Sequence, residues 1–213
     1  MMYRIHRLFT TVFILAVCAC SLSAQSAREV LDATAARMTQ KGGVKAQFKA
    51  TQFRGTEAES ETTGTILVSG NKFQMDTPNL VTWFDGKTQW SMMKGSDEVN
   101  ITEPTEEELL AMNPSTLVHI YKKGYRYSMR TSTLRGRPTY EIQLKAKKPD
   151  AAFTDIYVDV EQGTFNPLCF RAKNAGDWIR LSIQTFQTGL THPNDTFTFP
   201  TKDFPNVEVI DLR

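Results

Sequence analysis

From Val44 onward, apolar and polar residues alternate in short runs separated by Gly, Pro, Asn and Asp. Alternation with a period of two puts one side of an extended segment in a core and the other in water. The runs predict strands over 44–55, 61–70, 72–77, 80–84, 88–93 and 97–102, and over 125–133, 137–146, 154–160, 166–173 and 178–189, with short pieces at 197–199 and 207–210. Many short strands between regular turn signals argue for an antiparallel sheet, as a barrel or a sandwich. Two stretches change to helical spacing, so the expected class is mainly β with helices (α+β).

The first helix precedes the sheet. Ser26 and Glu29 have capping-box spacing, Val30, Leu31, Thr34 and Met38 make one apolar stripe, and Gly42-Gly43 ends the run. The second helical stretch interrupts the sheet. Thr105 and Glu108 form another capping box ahead of Leu109, Leu110 and Met112. Asn113-Pro114 then opens a new helix carrying Leu117, Val118, Ile120 and Tyr121, which Gly124 ends. Two short mid-chain helices, together with the first, can cover the open face of a curved sheet.

Turn chemistry sharpens the middle of the sheet. A two-residue loop at Asp85-Gly86 sets Trp83 opposite Thr88 and Val81 opposite Trp90. A second at Gly95-Ser96 sets Met92 opposite Val99 and Trp90 opposite Ile101. Opposed residues share a face, so Val81, Trp83, Trp90, Met92, Val99 and Ile101 project from one side. A three-residue loop at Thr77-Pro78-Asn79 adds Phe73 and Met75 to it. Such a face is either ordinary core or the wall of a ligand cavity. Its methionine and tryptophan content suits an irregular apolar partner, and helices this short are individually marginal, as a moving cover would be.

The chain begins with a basic start (Arg4, Arg7), an apolar run over 8–20 and a small-residue exit ending at Ala24. That order reads as a cleavable secretory signal peptide, residues 1–24, ahead of a single domain over 25–213. Val17-Cys18-Ala19-Cys20 loosely resembles a lipobox, which would instead make Cys20 an acylated anchor. The signal holds two of the 25 basic residues and none of the 23 acidic ones, so the rest of the chain is formally neutral. A neutral chain has no global field for nucleic acid. Only Cys169 remains outside the signal, which leaves stability to core packing.

Catalytic constellations are not expected. His119 and His192 have no metal-ligand spacing around them, and no Gly-x-Ser-x-Gly elbow or phosphate-cradling glycine loop occurs. No metal or cofactor is expected, and Cys169 reads as a buried apolar cysteine.

In order along the chain, Val44-Lys45-Ala46-Gln47-Phe48 with Thr51-Gln52, then Gly64-Thr65-Ile66-Leu67, then Phe73-Gln74-Met75 leading to Trp83-Phe84-Asp85-Gly86-Lys87-Thr88-Gln89-Trp90, and finally Phe197-Thr198-Phe199-Pro200 with Val207-Glu208-Val209, resemble segments of LolA-like periplasmic lipoprotein carriers. The resemblance implies an incomplete, strongly curved antiparallel β-barrel with helices as a lid over a hydrophobic cavity. It implies a non-enzymatic periplasmic carrier and a monomer. Its partners would be acylated lipoproteins, an inner-membrane lipoprotein-releasing transporter and an outer-membrane acceptor. An outer-membrane-anchored acceptor, or a sensor for hydrophobic ligands on the same fold, is the alternative. The expected cavity residues are Phe73, Met75, Val81, Trp83, Trp90, Met92, Val99 and Ile101; the expected lid residues are Leu109, Leu110, Met112, Leu117, Ile120 and Tyr121. The family's lid-closing arginine, followed by proline, is replaced here by Lys72-Phe73, so a latch would fall on Lys72, without the bidentate fork of arginine.

Overall fold

The computed structural model describes residues 25–39, 42–105, 108–109, 120–122 and 124–213. The expected signal peptide, residues 1–24 with Cys18 and Cys20, lies outside them, as do Leu110, Met112, Leu117 and His119. Among the described residues no helix is long and apolar enough to cross a membrane.

Helix α1 runs over Ala27–Met38. Its start is fixed by both halves of the capping box: the Ser26 N–H donates to Glu29 at 2.7 Å and the Glu29 N–H donates to the Ser26 hydroxyl at 3.2 Å. Those bonds hold the Glu29 carboxyl below its usual range. Thr34 returns its hydroxyl to the Val30 carbonyl at 2.8 Å, so a polar residue sits fully buried at no unpaired cost.

Among the described residues twelve strands follow: β1 (Gly43–Arg54), β2 (Glu57–Ser69), β3 (Lys72–Asp76), β4 (Leu80–Phe84), β5 (Gln89–Met93), β6 (Glu98–Thr102), β7 (Tyr125–Leu134), β8 (Arg137–Ala146), β9 (Asp155–Glu161), β10 (Pro167–Asn174), β11 (Asp177–Leu190) and β12 (Glu208–Asp211). They form one sheet in the order β12-β6-β5-β4-β3-β2-β1-β11-β10-β9-β8-β7. It is two meanders joined by the long β1–β11 pairing. Every pairing is antiparallel except β12 with β6, which is parallel. The ladder does not close, so the sheet is an open, curved one with β7 and β12 at its edges. Residues 197–199, expected as a short strand, form none: Phe197 ends a 3-10 turn, Asn194–Phe197.

The expectation of two mid-chain helices forming a lid is not borne out among the described residues. The capping box at Thr105 does close, with the Thr105 N–H donating to Glu108 at 2.7 Å and the Glu108 N–H donating to the Thr105 hydroxyl at 3.3 Å. Residues 110–119 then lie outside the described set, and the chain resumes in a 3-10 turn at Ile120–Lys122.

Candidate functional site

Two turns decide which side chains share a face. At Asp85 the loop is four residues long. The Asp85 carboxylate accepts the N–H groups of Lys87 (2.9 Å) and Thr88 (2.8 Å), and the Asp85 N–H bonds the Thr88 carbonyl. The register therefore moves by two: Trp83 pairs with Trp90, not Thr88, and Val81 with Met92, not Trp90. An even shift leaves the face unchanged.

At Thr77 the loop is also not the one expected: the segment between strands holds three residues, but the turn closes on Leu80. The Thr77 N–H and hydroxyl both donate to the Leu80 carbonyl at 2.9 Å, and the Leu80 N–H returns to the Thr77 hydroxyl at 3.1 Å. Asp76 pairs with Val81, an odd shift from the expected register, and an odd shift exchanges faces. Phe73 pairs with Phe84 and Met75 with Thr82, so Phe73 and Met75 lie on the opposite side from Val81 and Trp83. The single cavity wall expected from the sequence is therefore two walls, back to back.

The inner wall is the larger. Phe73 and Phe84 join Val44, Ala46, Phe48, Ile66 and Val68 from the first meander, and Ile142, Leu144, Ile156, Val158, Val160, Phe170 and Ile183 from the second. Helix α1 packs Val30, Leu31, Ala35 and Met38 into the same cluster, and Met75 lies partly buried against it. Leu109 and Tyr121, which bracket residues 110–119, both pack on it as well. Tyr121 is 4% exposed and donates its hydroxyl to Asp32 of α1; burial, then that carboxylate, pushes the phenol above its usual range. Of the six expected lid residues, these two are thus placed on the inner wall. The side chain of Ile120 is not among those described.

Where the inner side reaches β5 and β6 it turns polar. A cavity of about 620 Å³ opens there, lined by Gln89, Thr102, Glu103, Pro104, Glu108, Leu212 and Arg213. Arg213 is held by Asp211 at 2.6 Å. The Oε1 atom of Gln89 is buried without a hydrogen-bond partner among the described residues.

The outer wall is smaller and already covered. Val81, Trp83, Met92 and Val99 form a buried cluster with Phe199, and Trp90, Phe204 and Val207 pack against it. Phe199 meets Trp83 edge-on at 5.4 Å and stacks on Phe204 at 5.4 Å. Ile101, opposite Trp90, is partly exposed. The segment after β11 thus fills the face that the tryptophans and methionines offered. Sequence patterning misses this because 197–199 alternates like another strand, whereas it serves as a cover on β4–β6. Lys72 precedes Phe73 in β3 and so falls on the outer side, away from Leu109 and Tyr121. That placement does not suit a latch over the inner wall.

Among the described residues no group of three or more His, Cys, Asp or Glu side chains could hold a metal ion. His192 packs edge-on against Phe197 at 5.8 Å. Cys169 is buried, and burial raises its thiol pKa, which keeps it protonated and inert. A polar network lies on the outer side of the second meander. Glu141 accepts from Arg130 at 2.6 Å and from Arg171 at 2.8 Å, and Arg171 also reaches Asp159 at 3.2 Å.

The fold is similar to that of an uncharacterized conserved protein from Thermus thermophilus, with a TM-score of 0.60 at 13% identity over 88% of this chain and 99% of that one. Weaker likenesses include a LolA superfamily protein from Nitrosomonas europaea (TM-score 0.44, 12% identity, 83% and 99% covered) and LprF from Mycobacterium bovis (0.47, 9%, 78% and 95%). No curated protein matches the sequence significantly. A family model for the outer membrane lipoprotein carrier protein LolA matches residues 17–176, well over half of the chain, and the chain belongs to that family.

Proposed function

We propose that the protein is a non-enzymatic carrier of acylated lipoproteins in the periplasm, exported by cleavage after Ala24, and that the acyl chains lie between the inner wall of the sheet and the residues that cover it. The observation that carries this reading is that Leu109 and Tyr121, on either side of residues 110–119, both rest on the inner cluster. Both belong to the set expected from the sequence to form a lid, and the proposed lid is that set. Leu110, Met112, Leu117 and Ile120 are its remaining members.

The energetics suit uptake and release without chemistry. Each buried methylene contributes about 0.8 kcal/mol, so one long acyl chain gains several kcal/mol from an apolar wall. A receptor with a better wall can then take it. The polar cavity at Gln89, Thr102 and Glu108 adjoins this wall and suits the amide and glycerol end of a lipidated N-terminus. The inner-membrane transporter and the outer-membrane acceptor are the partners this cycle requires.

The test is native mass spectrometry with a triacylated lipoprotein and with its non-acylated form. Binding of the acylated form alone, weakened tenfold or more by Met75→Gln but unchanged by Trp90→Gln, supports the carrier reading and the inner wall. Equal binding to both forms, or to neither, overturns it. An anchored acceptor would instead carry lipid on Cys20, which the intact mass of the exported chain decides.

A further inference from the structure

The outer side of β9, β10, β11 and the end of β1 holds a second arrangement, away from the acyl wall and independent of the carrier reading. The register lines up Tyr157, Arg171, Arg180 and Thr51 in one row across four strands, with Lys173, Trp178 and Phe53 in the next. The guanidinium of Arg171 lies over the Tyr157 ring at 4.8 Å, and that of Arg180 over the Phe53 ring at 4.9 Å. Tyr157 and Trp178 lie 5.9 Å apart, tilted at 45°. Between them is a cavity of about 350 Å³, lined by Phe53, Tyr157, Arg171, Trp178, Ile179 and Arg180 among others. That volume is within the range of small-molecule pockets.

The two arginines are not equivalent. Arg171 is ion-paired, its Nη2 lying 2.8 Å from Glu141 and 3.2 Å from Asp159. Arg180 forms no ion pair among the described residues, and its Nε is buried with no hydrogen-bond partner. Glu61, the carboxylate its charge reaches, is occupied by Lys49 at 2.8 Å. A guanidinium held over a ring and engaged by no carboxylate is preorganised for an acceptor with planar, two-pronged geometry.

We propose that this cavity binds a small organic anion with a flat apolar body, its carboxylate on Arg180 and its ring against Trp178, Tyr157 and Phe53. The charge balance favours a monoanion. Glu141 and Asp159 offset Arg171 and Arg130, and Asp155 lies opposite Lys173 in the register, so the charge of Arg180 is the one left over at the mouth. A phosphate dianion would bring a second negative charge with nothing to meet it.

The experiment is calorimetric titration of the purified protein with 2-naphthoate, its neutral amide 2-naphthamide, and inorganic phosphate. Saturable one-to-one binding of naphthoate is expected. Arg180→Gln and the change of ligand to naphthamide should each weaken it at least tenfold, about 1.4 kcal/mol. Trp178→Leu, which keeps an apolar wall but removes the ring, should weaken it severalfold, and serves if Arg180→Gln does not fold. Met75→Gln should leave it unchanged. The proposal is overturned if naphthoate does not saturate, if a folded Arg180→Gln or Trp178→Leu binds as well as the parent, or if naphthamide binds as tightly. Displacement by phosphate at equal concentration, or weakening by Met75→Gln, overturns it too. Either would place the ligand on a general anion site or on the acyl wall.

Discussion

Phe73 and Phe84 face one another across the β3–β4 hairpin, ring centroids 5.3 Å apart, on the side of the sheet that α1 covers. Trp83, the next residue to Phe84, points to the other side and meets Phe199. One peptide step thus separates the two apolar clusters of the molecule. Phe73 is fully buried. Phe73→Ala should cost about 3–5 kcal/mol, read as a lowered midpoint in urea denaturation. A loss below about 1 kcal/mol would mean that the inner wall is not a packed core at that point.

The outer cluster depends on the segment after β11. Phe199→Ala removes the ring that covers Trp83 and should lower stability by about 3 kcal/mol. Because Trp83 then gains water contact, the folded variant's tryptophan emission should shift to longer wavelength. Unchanged emission would show that Phe204 and Val207 close the gap alone.

Acid sensitivity should centre on Glu141. Its carboxyl is held below the usual range, first by the hydrogen bond from Arg130 and then by Arg171. A depressed carboxylate pKa in the folded state stabilises above the unfolded value, about 4.3. That contribution is lost as pH falls through the folded value. Glu141→Gln should therefore be less stable than the parent by about 1.5–3 kcal/mol at pH 7. The gap should close below about pH 4. Asp159 works in the opposite sense, since burial raises its pKa. A gap that is constant with pH would rule out an ionic origin.

The β10–β11 hairpin contains a correctable strain. Ala175 sits at φ 48°, in the left-handed region, between Asn174 and the glycine at 176. Ala175→Gly removes the clash of Cβ with the following carbonyl and should stabilise by about 1 kcal/mol. The flexibility glycine adds to the unfolded chain offsets part of this. Thermal denaturation checks it; a lower Tm would mean that the turn conformation carries little strain.

The strands themselves are legible in the sequence to within a few residues, because alternation such as Val44, Ala46, Phe48 is a direct imprint of a half-buried sheet. Helix α1 is legible for the same reason, with Ser26 and Glu29 marking its start. The pairing of faces is not. Phe73 and Trp83 differ in side because Thr77 closes its turn on Leu80, and turn composition alone does not fix which residues of a short loop pair across it. Arg180 escapes a reading of the sequence because its neighbours Phe53 and Tyr157 are distant along the chain and meet only through the β1–β11 and β9–β10 registers. The cover over Trp83 escapes it because Phe199 and Phe204 act from an irregular segment whose spacing has no period.

The β1–β11 pairing joins residues as far apart as Gly43 and Leu190, and among the described residues no other strand pairing joins the two meanders of the sheet. Each meander is built mostly from neighbours and can zip up early. The seam between them must wait until almost the whole domain has been collected, at the entropy of a very long loop. Folding should therefore be slow and limited by one docking event. Until it occurs, Phe48 and Ile183 stand on naked strand edges, each able to add a strand from another chain. For a molecule whose proposed work is to keep greasy cargo from clumping, the most dangerous moment is its own assembly.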